Sequence, residues 1–156
     1  MPCNRKGVST IIATILTISL AVVGSAVYYV AVTSYLRPQA GLSPEVEISV
    51  GASGFTIVSA QVVNTGGIPL TSLTISITGG SSQLQITYSS LLSADGGTAA
   101  ITTRGLSGGP YSAASPNTVV SGNLAASAGF SYAVVVKGTL SNGATYSQAF
   151  SVEASP

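Results

Sequence analysis

The chain has 156 residues, 46% of them hydrophobic and only 6% charged, with a net charge of +1 and a mean hydropathy of +0.54. Typical soluble proteins are about 25% charged. So small a net charge excludes the broad basic field that captures nucleic acid, and such sparse charge leaves an isolated monomer prone to associate. Histidine is absent and cysteine occurs once, as Cys3, so zinc ligation is implausible and no intrachain disulfide can form. Ser and Thr make up roughly a quarter of the residues, a biased composition.

In chain order, Arg5 and Lys6 come first, followed by Gly7 and then a stretch from Val8 to Leu36 with neither charge nor proline. A run of about 20 apolar residues suffices to cross a bilayer, and as a helix this one would extend roughly 40 Å. Its Ser and Thr hydroxyls can bond to the helix's own carbonyls in lipid. Arg37-Pro38 ends it, because proline disfavours helix at the residue before it. Cations ahead of the run place its start on the cytoplasmic side and the bulk of the chain outside. Tyr28, Tyr29 and Tyr35 sit near the far end, where aromatic rings favour a membrane–water interface. Thr10, Thr14, Thr17, Ala21, Gly24 and Ser25 recur at spacings of three and four and form a stripe of small residues, which lets helices approach closely. Ile11, Ile15, Ile18 and Val22 form a separate bulky row.

Three readings of this start compete. A secretory signal would be cut at Gly24-Ser25-Ala26, but the apolar run continues well past that point. An uncleaved signal anchor would keep everything. A cut between Gly7 and Val8 would remove a charged leader, residues 1–7, and keep the whole apolar helix. RKG followed by VSTIIATILTISLAVV resembles the class III signal peptide of archaeal type IV pilins and the related archaellins. The resemblance covers about the first quarter of the chain. It implies cleavage by a prepilin peptidase after Gly7, loss of Arg5 and Lys6, and Val8 as the new terminus. It also implies a membrane-held precursor whose helix is drawn by assembly machinery into the core of a homopolymer at the cell surface. Bacterial type IV pilins carry Glu at the fifth mature position; here that position is Ile12, which favours the archaeal branch. VSTIIATILT lies closer to the pilin side than to the glycine-rich archaellin start.

RPQAGLSPE, residues 37–45, has two prolines and a glycine and reads as a linker over 37–44. Beyond it the period becomes two. Leu73, Ile75 and Ile77, then Leu84, Ile86 and Tyr88, then Phe130, Tyr132, Val134 and Val136 alternate with polar or smaller neighbours. That is the pattern of antiparallel strands with one buried face. The pairs Gly66-Gly67, Gly79-Gly80, Gly96-Gly97 and Gly108-Gly109 punctuate the runs. Asp95-Gly96 and Asn142-Gly143 are hairpin-type signals, and FSYAVVVKGTLSNGATYSQAFSV is the clearest hairpin. About seven or eight short strands at this spacing predict a sandwich. Asn64 reads as a turn cap, and residues 105–118 as a long loop without periodicity. The fold class expected is α+β: a long hydrophobic helix over 8–36, then an antiparallel immunoglobulin-like β-sandwich head over 45–156.

Catalytic chemistry is nearly missing from this inventory. The head offers Glu45, Glu47, Asp95, Glu153, Arg104 and Lys137. Glu45 and Glu47 share a strand face but suit a solvated edge better than a site. Asp95-Gly96-Gly97 lacks the oxygen spacing of a calcium loop, and no glycine pair leads into a helix that could cradle phosphate. No catalytic, cofactor or metal residue is assigned, and no enzyme activity is expected. There is no Asn-x-Ser/Thr sequon, while the hydroxyl-rich surface leaves O-linked glycans open. The expected role is a structural subunit of an extracellular type IV pilus-like filament for surface adhesion. The alternatives are an archaellin of a motility filament and a monomeric membrane-anchored binding module.

Overall fold

The computed structural model describes residues 5–35 and 39–156, with side chains from Ser9 to Val32 in the helix and from Gln39 onward. It divides into two compact units, Met1–Arg37 and Pro38–Pro156.

The first unit is one helix, α1, Arg5–Tyr35. It begins earlier than the expected 8–36, so the Gly7–Val8 junction lies inside its first turns. That end is intrinsically weak. The first four amides of a helix have no intrahelical acceptor, and there is no acidic residue in the first turn to favour the dipole. Residues 1–4 of the expected leader lie outside the described residues, as do the side chains of Arg5, Lys6 and Val8 and the residues 36–38 at the helix's far end.

The described residues of the second unit form nine strands: β1 Leu42–Val50, β2 Phe55–Asn64, β3 Leu70–Gly79, β4 Ser82–Tyr88, β5 Thr98–Leu106, β6 Tyr111–Ala113, β7 Thr118–Asn123, β8 Ser131–Leu140 and β9 Thr145–Glu153. They form a four-stranded sheet in the order β1-β2-β5-β6 and a five-stranded sheet in the order β7-β4-β3-β8-β9. Every named pair is antiparallel. The chain changes sheet after β2, after β4 and after β6, and residues 124–130 carry it from β7 at one edge to β8. The overall class is thus an apolar helix followed by two antiparallel sheets.

The period-two pattern dictates the core. Leu73, Ile75 and Ile77 of β3, Leu84 of β4, and Val134 and Val136 of β8 are fully buried. They meet Ile48, Val58, Val62 and Ile101 of the other sheet in a single cluster. Polar neighbours between them, such as Thr74, Ser76, Gln83 and Gln85, are left on the outer face. Each buried aliphatic side chain of this kind stabilises a fold by about 1.5–3 kcal/mol relative to leaving it wet. The hairpin from Ser131 to Glu153 forms as expected, with Gly143 at φ +85° and the Asn142 side-chain oxygen accepting from the Ala144 amide at 3.0 Å.

Five details differ from the sequence expectation. Among the described residues there are nine strands rather than seven or eight. The first begins at Leu42, inside the expected linker 37–44. Pro44 lies within it, tolerated because β1 is an edge strand whose outward amides need no partner. Asp95-Gly96 is a turn, with both residues at positive φ, but it joins strands of different sheets and is therefore no hairpin. Residues 105–118 are not one irregular loop, because Tyr111–Ala113 pairs with β5 as β6. Phe130, expected to alternate inward with Tyr132, is 65% exposed, since Gly129 at φ +81° turns the chain just before β8 begins.

Candidate assembly surface

The helix owes its continuity to residues that leave no polar group to compete with it. Thr14 Oγ1 donates to the Ile11 carbonyl, Thr17 Oγ1 to Ala13, and Ser25 Oγ to Val22, each at 2.8 Å. These hydroxyls are therefore satisfied within the helix and carry little cost out of water. The 24 residues Ser9–Val32 are apolar enough and long enough to span a bilayer, and none of the apolar window is buried within the chain.

Two faces of this helix differ. At 100° per residue, the Thr10, Thr14, Thr17, Ala21, Gly24 and Ser25 stripe and the Ile11, Ile15, Ile18 and Val22 row lie roughly 100° apart around the axis. The bulky row is 58–64% exposed. Gly24 has no intrachain reason to be glycine: its φ is not positive, and a Cβ there would meet nothing within 4 Å. Glycine in a helix interior costs about 1 kcal/mol relative to alanine. One face thus offers a shallow groove and the other a ridge, the complementary shapes by which apolar helices pack.

On the head, Glu45 and Glu47 do share the outer face of β1, exposed, across from Gln61 and Ser59 of β2. With Ala100 and Thr102 they line a shallow trough of about 260 Å³. Arg104 of β5 is on the same face, opposite Ile57. Among the described residues no three His, Cys, Asp or Glu side chains come together. The trough holds two solvated carboxylates beside the Ser59 and Thr102 hydroxyls.

Asn64 performs the structural role its position suggests, and more widely. It is fully buried. Its side-chain nitrogen donates to the Ile68 carbonyl at 2.9 Å and to the Ser93 carbonyl at 3.1 Å, and its oxygen accepts from the Gly66 amide at 3.0 Å. Its backbone bonds to Gly96 and Gly97. One residue therefore fastens the β2–β3 crossover to the β4–β5 crossover. Sequence reasoning missed a second polar cluster, at the other end of the core. There the Tyr111 hydroxyl donates to the Leu124 carbonyl at 3.0 Å, while the Tyr132 hydroxyl donates to Ala125 and accepts from the Ser127 amide. Burial pushes the Tyr111 phenol above its ordinary pKa, with the nearby Thr56 hydroxyl acting in the opposite direction. Thr56 and Thr103 are buried with side-chain oxygens that lack a well-formed hydrogen bond. The periodic pattern signalled that these positions face inward, but not that tyrosine hydroxyls would gather there.

No protein-family model and no curated protein matches this chain.

Proposed function

We propose that this chain is a structural subunit of an extracellular, type IV pilus-like filament that polymerises through its N-terminal helix and serves surface adhesion. The observation that carries this reading is the unburied apolar segment Ser9–Val32. A helix that is apolar all round is stable only in lipid or among other helices. The head has a core of its own, and Gly24 leaves room for close approach by another helix. At about 25 cal/mol per Å², a few hundred Å² buried per helix contact gives several kcal/mol, repeated along a polymer. The basic–glycine–apolar junction supplies the processing step: cleavage between Gly7 and Val8 by a prepilin peptidase releases the cations and frees the helix to leave the membrane.

The head is read as an immunoglobulin-like sandwich forming the outer surface. Its two sheets enclose one core, and the run β4-β3-β8-β9 follows that plan. In the other sheet the strand beside β2 is β5, which precedes its edge neighbour β6, whereas antibody-type domains place the later strand beside the second.

Intact mass and N-terminal sequencing of protein from the native cell surface, with electron microscopy of the same material, test the reading. Val8 at the terminus and filaments in the micrographs are expected. Met1 at the terminus of dispersed particles would establish the membrane-anchored monomer instead, and Val27 an ordinary secreted protein.

A further inference from the structure

The four edges of the two sheets are not alike. In the four-stranded sheet both edges are blunted against pairing with another chain. Edge β1 carries Pro44, Glu45 and Glu47. Its far end is already occupied: the Val50 amide donates to the Ser155 carbonyl and the Ser155 amide to the Ile48 carbonyl, each at 2.8 Å. The opposite edge, β6, is three residues long. Proline, charge, cover and brevity are the devices by which proteins prevent edge-to-edge association.

The two edges of the five-stranded sheet carry no proline and no charge before Glu153, although β6 lies beside β7 and β1 beside β9. Strand β7, TVVSGN, has no charge and no proline, and Val119 on it is 67% exposed. Strand β9, TYSQAFSVE, is uncharged until its last residue. Each pairs on one side only, β7 with β4 and β9 with β8. Among the described residues, no backbone hydrogen bond beyond those ladders involves residues 118–122 or 145–153. Alternate amides and carbonyls along both strands therefore face outward without a partner in the chain. The contrast lies within one molecule of uniformly low charge, so composition alone does not account for it.

We infer that β7 and β9 are the mating edges between neighbouring heads, β9 of one copy pairing with β7 of the next. The occupant is a second copy because the two open edges close the opposite sides of one sheet, so β9 of one copy can meet β7 of the next and carry the same sheet on. Its geometry fixes the kind of contact. Four successive antiparallel pairings separate β7 from β9, so the two run in the same direction. Copies that follow one another with the same polarity thus join β9 to β7 as a parallel pair. Such a contact is head-to-tail and repeats without closing, as a polymer requires, whereas β9–β9 or β7–β7 pairing would give closed twofold dimers. This rests on the filament reading above and adds to it where the heads touch.

Hydrogen–deuterium exchange with mass readout on the full processed chain, in detergent micelles and as filaments, tests it. On assembly, amide exchange in residues 118–123 and 145–153 should slow by at least about tenfold, as for strands moving from an open to a paired edge. Residues 42–50 and 111–113 should be unchanged. Ser121→Lys and Gln148→Lys should each abolish the added protection at both edges while leaving β8 protected as before. Filaments with unaltered exchange at the two edges would overturn the pairing and leave the filament reading standing. Protection of one edge without the other would also overturn it, by showing twofold self-pairing. Concentration-dependent protection of both edges without filaments would keep the pairing and remove the filament reading. Neither filaments nor protection would remove both.

Discussion

The two units of this chain handle apolar surface in opposite ways. The head folds its aliphatic residues onto each other, so that Ile75, Ile77, Leu84 and Val134 are inaccessible to water. The helix keeps Ile11, Ile15, Ile18 and Leu20 outward, with Leu20 75% exposed. The difference is one of periodicity. Alternation at period two leaves one face of each strand to be covered by the facing sheet. An apolar run without a polar face leaves a helix nothing to turn toward water. The head thus covers its own apolar surface, and the helix leaves its apolar surface open.

The sharpest way to break this contrast is to charge the helix. Ile15→Lys should abolish filament assembly, since a cation at the centre of an apolar helix costs about 2.5–3.5 kcal/mol even at insertion. The head's thermal transition should not move; electron microscopy and calorimetry of the same preparation read the two effects. The reverse experiment is Ile75→Ala, which should lower head stability by about 2–5 kcal/mol in denaturant unfolding and leave helix association in detergent intact. Asn64→Ala strands the Gly66 amide and two carbonyls, and should cost about 1–3 kcal/mol by the same measurement.

The smallest effect is one of pH. Because the folded head raises the Tyr111 pKa, it holds the phenolic proton more tightly than the unfolded chain does. That contribution is complete below the ordinary tyrosine pKa and is lost as pH rises through the raised value. Tyr111→Phe should therefore flatten the alkaline fall in melting temperature, while forfeiting about 1 kcal/mol at neutral pH with the bond to Leu124. An unchanged alkaline slope would show that Tyr111 does not govern it.

Patterns that depend on near neighbours were legible before the fold was seen. The apolar helix, the inward faces of β3, β4 and β8, and the Asn142-Gly143 hairpin all follow from local spacing. What escaped depends on distant partners. Asp95-Gly96 specifies a backbone turn, but whether the chain then stays in its sheet is set by Asn64 and Gly66, to which that turn bonds. Strand β6 has little propensity of its own. It is held by Tyr111 reaching Leu124 and by Gly105, where a Cβ would collide with Pro110 and Tyr111. The start of β1 hid behind Pro44, which reads as a breaker unless the strand is known to lie at an edge. On the helix, the stripe and the ridge could be placed from spacing alone.

The entry to the head has a mechanical consequence. Gly41 and Gly66 are so close that a Cβ on either would strike the other's surroundings, and the Gly67 and Thr65 amides bond to Gln39 and Gly41 at 2.9 and 3.1 Å. Residues 39–41 are therefore no swivel. A pull arriving along the chain is handed at once to the crossover that Asn64 ties together, and so is shared by both sheets before it can peel β1 away.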